Sequence, residues 1–119
     1  MLASTLSNPA HKAFFERTLK SGATFLGRWS GADAQLWELT ASHRTLKLLL
    51  TRAGSTEHLL ISCLDPIRIE APVRWSNASL SLRTAPLPDG DDGFLIIDAG
   101  QPVSILCGSV ELAENVKAP

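Results

Sequence analysis

The chain has 119 residues, 45% hydrophobic and 19% charged, with a formal net charge of −1. That length fits one domain able to build a core without disulfide or metal staples. The composition sets it apart from disordered chains, and the charge balance gives no overall field to draw it to nucleic acid. The apolar runs are a few residues long, far short of the roughly 20 a membrane helix needs. The N-terminus lacks the ordered basic, apolar and small-residue regions of a signal peptide. The expectation is a cytoplasmic, non-membrane protein whose Cys63 and Cys107 are thiols, in which the sequon Asn77-Ala78-Ser79 goes unused.

Residues 1–8 are expected to be a flexible N-terminus, followed by a helix over 9–21. Asn8 is placed to cap it, Pro9 suits the first helical position, and Gly22 sits where a left-handed C-terminal residue belongs. Phe15 follows His11 by four positions and Leu19 follows Phe15 by four, with Phe14 adjoining the stripe; Glu16 and Lys20 pair toward solvent.

From Thr24 the period becomes two. "TFLGRW", "AQLWEL", "TLKLLLTR", "HLLISC", "PIRIEA", "ASLSLRT", "GFLIIDA" and "PVSILC" each alternate apolar and polar positions or form short apolar runs. Turn residues such as Ala53-Gly54-Ser55, Asp65-Pro66 and Ala99-Gly100-Gln101 separate them. The fold class this implies is mainly β or α+β: one helix, then about eight antiparallel strands in a meander over 24–113, closed as a small barrel or sandwich. Residues 114–119 read as a flexible tail. In the last strand Val103, Ile105 and Cys107 are apolar at odd positions, then Val110 and Leu112 at even ones. Such a phase slip predicts a β-bulge at Gly108.

The stretch "PLPDGDDGFLIID" raises the question of calcium. Asp89 and Asp91 alternate as ligands would, but the sixth residue from Asp89 is Phe94 and the twelfth is Gly100, where a calcium loop needs glycine and a bidentate Glu. The stretch reads as a turn between strands. Zinc would draw on Cys63, Cys107, His43 and His58, yet no closely spaced pair exists, and both cysteines fall on the apolar parity. They read as buried thiols, and no metal or cofactor is implied.

A hydrolase would have to use Ser42 and His43 with Asp98 or Asp65, but sequence neighbours rarely align a hydroxyl with an imidazole, and no nucleophile elbow is present. The chain therefore reads as a non-enzyme. Ahead of the hydrolase as an alternative stands a small β-barrel carrier whose apolar cargo would be lined by Leu46, Leu48, Leu50, Leu59 and Ile61.

The favoured reading is a non-catalytic protein-binding module, regulatory, accessory or inhibitor-like, that engages a protein partner or a second copy of itself. Residues 44–83 hold six basic side chains against three acidic, whereas 84–119 hold six acidic against Lys117. Lys47, Arg68 and Arg83 point outward from three expected strands, with Arg74, Trp75 and Asn77 on an adjoining connection. The composition suits an interface with an acidic surface. Trp29 and Trp37 are expected inside and Trp75 partly exposed. Leu49, Leu60 and Leu64 would add apolar area to the outer face.

Overall fold

The computed structural model describes residues 9–42 and 44–116. The expected flexible N-terminus therefore lies outside the described residues, as do His43 and the last three positions of the expected tail.

Helix α1 spans Pro9–Arg28, seven residues beyond the expected end at 21. Phe15, Leu19, Gly22, Leu26 and Trp29 recur every three or four positions and form one inward stripe. Gly22 does not terminate the helix. It is buried in mid-helix, where an added Cβ would lie 2.8 Å from Leu82 Cδ2, so the absent side chain lets the helix approach the sheet closely. "TFLGRW", expected as a strand, is the last turns of this helix and its exit. Phe25, Gly27 and Trp29 happen to alternate, but Leu26 and Trp29 share the helical face that is buried.

Seven strands follow: β1 (Asp33–Thr40), β2 (Thr45–Thr51), β3 (His58–Glu70), β4 (Arg74–Trp75), β5 (Leu80–Pro86), β6 (Asp92–Asp98) and β7 (Ser104–Val116). They form one antiparallel sheet in the order β4-β1-β2-β3-β7-β6-β5, curled into a half-barrel. Two meanders, β1-β2-β3 and β5-β6-β7, are joined where the two 13-residue strands β3 and β7 pair. The count is seven rather than about eight for two reasons. The first expected strand is helix, and "HLLISC" and "PIRIEA" are one continuous strand. Asp65-Pro66, expected as a turn, is a kink within β3, with Asp65 at φ 51°. The two-residue β4 at the edge carries too little pattern to be anticipated.

Leu46, Leu48 and Leu50 of β2, Leu59, Ile61 and Cys63 of β3, Phe94 and Ile96 of β6, and Ile105, Cys107 and Val110 of β7 fill the concave face. They pair in register across the sheet, Leu46 with Cys63 and Cys63 with Val110, for example. The helix closes that face: Phe15 stacks on Phe94 with centroids 4.7 Å apart and planes at 20°. Leu26 and Trp29 complete the cluster.

The phase slip in β7 is real. Cys107 and Val110, three apart, are both in the core. Its accommodation differs from the expected single bulge at Gly108. Gly108 lies against the left-handed Asp65, where an added Cβ would sit 3.5 Å from the Asp65 Cβ, so both strands change phase together. The extra residue itself is Ile67 on the partner strand, since Pro66 pairs with Cys107 and Arg68 with the adjacent Leu106. A second bulge holds Trp37, skipped between the pairs Leu36–Leu48 and Glu38–Lys47. Both bulge residues are turned out of the alternation. Trp37, expected inside, is 39% exposed, and Ile67 is 43% exposed.

Candidate functional site

The expected basic patch is dispersed by the strand order. Lys47 lies on β2, Arg68 on β3 and Arg83 on β5, and β7 and β6 intervene between the last two. Lys47 is half-buried and its Nζ is 3.3 Å from Glu38 Oε2. Arg74 is exposed on β4, at the opposite edge of the sheet from Arg83. Asn77 occupies a left-handed turn position at φ 55°, a conformation asparagine tolerates well. Only Arg68 and Arg83 share a row. The pairs Arg68–Leu106, Leu106–Leu95 and Leu95–Arg83 place the two guanidinium groups on one face with two leucines between them. Of the outer leucines, Leu49 is buried, and Leu60 and Leu64 are half-buried.

Trp75, expected to be partly exposed, is 7% exposed. Its indole N–H donates to Asp98 Oδ2 at 3.1 Å, and the Ser79 N–H donates to the same oxygen at 2.9 Å. The N–H groups of Gly100 and Gln101 donate to Oδ1 at 2.8 and 3.1 Å. Partial burial works to raise the Asp98 pKa, but the four donors outweigh it and hold the carboxyl below the usual aspartate range. Asp98 thus knots the 75–80 connection to the β6–β7 turn. Both oxygens are occupied by this structural work, which leaves little for a catalytic third member.

A second carboxylate knot lies at the C-terminal end of the helix. Arg28 Nε and Nη2 donate to Glu114 Oε2 and Oε1 at 3.0 and 3.1 Å, and the Trp29 indole N–H donates to Oε2 at 3.0 Å. The Arg52 guanidinium lies 4.5 Å from the Trp29 ring centroid. The Arg28 bond first, with Trp29 and Arg52 adding, holds Glu114 below the usual carboxylate range despite some opposing desolvation. Glu114 was expected in a tail; it is in β7 and fastens the helix to the sheet.

Cys63 and Cys107 are free, fully buried and in side-chain contact. Contact with Cys107 and then burial push the Cys63 thiol far above the usual cysteine range, a state of low nucleophilicity. Among the described residues no three His, Cys, Asp or Glu side chains are grouped to hold a metal ion. Ser42 is exposed in the β1–β2 turn. Asp65 is 3.3 Å from Arg44 Nε in that turn, and its N–H donates to the Arg44 carbonyl at 2.8 Å. The volume in which an apolar cargo would sit, lined by the β2 and β3 leucines, holds Phe15, Leu26 and Trp29 instead.

A groove of about 620 Å³ lies between the start of α1 and the kink of the sheet. Phe14 and Phe15 come from the helix, Arg44 from the β1–β2 turn, and Asp65 and Ile67 from the β3 kink. Leu87, Asp89 and Asp91 come from the β5–β6 connection, Asp92 from the start of β6, and Gly108 and Ser109 from β7. The aspartate stretch is a tight turn, as expected: Asp89 Oδ1 accepts the Asp91 N–H at 3.0 Å, Leu87 N–H donates to the Asp91 carbonyl, and Gly90 has φ 93°. Phe14 is 42% exposed, and with Ile67 it gives the groove two unburied apolar walls.

Arg44 and Asp65, both non-glycine residues in the left-handed region, shape its rim. The sequence named Phe14, Asp65 and the turn aspartates separately. Nothing local announced that they share a groove, and Ile67 stood only as an apolar position of "PIRIEA".

Compared with protein-family models, curated proteins and solved structures, the chain has no match in any of the three. Among the described residues no helix is long and apolar enough to cross a membrane.

Proposed function

We propose that the chain is a non-catalytic protein-binding module, a small cytoplasmic accessory or regulatory protein, that docks its partner in the Phe14–Ile67 groove. The observation that carries the reading is the contrast between a filled core and two large apolar side chains left partly exposed in one concavity. Exposed apolar walls rimmed by polar groups are the composition of an interaction site. Two thiols left free in contact with each other are in keeping with a reducing compartment.

Affinity capture with the native chain, a Phe14→Ser/Ile67→Ser variant and an Arg68→Glu variant tests the proposal. The groove variant should lose a partner that both other proteins retain. If Arg68→Glu loses it and the groove variant keeps it, the interface is the outer arginine row and the groove reading fails. A native chain that recovers no partner and scatters light as a clean monomer ends the binding-module reading.

A further inference from the structure

We infer that the groove takes a basic segment of a partner protein, in which one large apolar side chain is flanked by lysine or arginine. The inference rests on the groove being the docking site and adds the chemistry of what docks there.

The floor and rim ask for different things of one ligand. Phe14, Ile67 and Leu87 offer apolar contact, which an aliphatic or aromatic side chain would bury. At about 620 Å³ the opening has room for such a side chain and parts of its neighbours. The rim carries four aspartates against one arginine. Asp65 is taken up by Arg44, at 3.3 Å. The acidic excess therefore lies on the β5–β6 turn, beside the apolar floor.

That turn is held by its own hydrogen bonds, Asp89 Oδ1 accepting from Asp91 N–H, so the turn backbone and the Asp89 carboxylate need little further ordering on binding. An acidic or phosphorylated ligand would be repelled there, as would nucleic acid. A neutral apolar ligand would make no use of the acidic rim. A cationic, apolar-centred segment satisfies both surfaces, and steering by the rim would speed its arrival.

The test uses a random dodecapeptide library displayed on phage and panned against the full chain, the enriched peptides then being titrated against the native chain and the Phe14→Ser/Ile67→Ser variant. Enriched peptides should centre on an aromatic or aliphatic residue with at least two lysines or arginines nearby. A synthetic copy of the best peptide should bind Asp89→Asn/Asp91→Asn about three- to tenfold more weakly than the native chain. Asparagine keeps the acceptor on which the turn depends. Asp33→Asn, which removes a carboxylate outside the groove, should leave affinity unchanged. Binding should also weaken as salt is raised from about 50 to about 500 mM.

Enriched peptides that are neutral or acidic, and indifferent to the Asp89/Asp91 change, overturn the basic-segment inference while leaving the groove as a docking site. If the peptides bind the Phe14→Ser/Ile67→Ser variant as tightly as the native chain, or if none is enriched at all, the groove reading and the inference fall together.

Discussion

Phe14 and Phe15 are neighbours on one helix, with rings 5.8 Å apart and nearly perpendicular, yet they belong to different parts of the molecule. Phe15 is 6% exposed and stacks on Phe94 in the concave core, while Phe14 stands 42% exposed on the wall of the groove. The difference teaches how a small half-barrel divides its apolar residues. The helix has one inward stripe, and the curled sheet accepts that stripe and no more. A large apolar residue one step off the stripe is surplus to the core, and the kink at Asp65 and Ile67 gives it a facing wall instead of a lid.

The sharpest way to break the comparison is to truncate each member in turn. Phe15→Ala or Phe94→Ala should cost about 3–5 kcal/mol, because the partner ring is left facing a cavity that the sheet cannot collapse to fill. Chemical denaturation should show this as a lower midpoint at an unchanged slope. A cost under about 1 kcal/mol would mean that the helix is not the plug of the half-barrel.

Next in size is the carboxylate knot that ties the sheet's far side together. Asp98→Asn should cost about 2–3 kcal/mol at neutral pH, since an amide cannot accept at both of its ends from Trp75, Ser79, Gly100 and Gln101. Its pKa is lowered in the folded chain, so the carboxylate's contribution is present above the unfolded value of about 3.9 and is lost as pH falls through the folded value. Denaturation of native protein and variant at several pH values should therefore show a gap that holds at neutral pH and narrows below about pH 4. A gap independent of pH would mean that the loss is steric and not one of charge-assisted bonds.

These particulars show where the sequence was legible. β2 was readable because Leu46, Leu48 and Leu50 alternate with Thr45, Lys47 and Thr51 about a buried face, and β6 because it is a short apolar run closed by turn residues. The helix end was misjudged because glycine answers to two demands. At Gly22 the demand is close approach to Leu82, which depends on a strand sixty residues later in the chain and leaves no local trace. The bulge was legible as a phase slip in β7, but one strand's alternation cannot say which partner holds the extra residue, and it is Ile67. The exposures of Trp37 and Ile67 followed the bulges, while the burial of Trp75 followed from Asp98. The groove was illegible because it joins a helix, two turns and a kink far apart in sequence; only its aspartate turn had a signature of its own.

Smaller effects are expected at the paired thiols. Cys63→Ala and Cys107→Ala should each cost about 1–2 kcal/mol for the packing lost at fully buried sites. The side chains touch, so the double variant should cost less than the two singles together, by a few tenths of a kcal/mol or more. A strictly additive double variant would show that the contact is not an energetic one.

The smallest effect is the one on which the contrast between the two phenylalanines turns. Phe14→Ser removes one partly exposed ring and an edge contact with Phe15 in the first half of α1, where serine and phenylalanine have about equal helix propensity. With the partial burial lost, the total should be about 1 kcal/mol or less, several-fold below the cost at Phe15. If denaturation gives that value while ligand capture in the groove is lost, Phe14 contributes mainly by what it presents at the surface. If Phe14→Ser costs as much as Phe15→Ala, its ring belongs to the core, the groove loses a wall, and the apolar surplus that motivates a docking partner disappears.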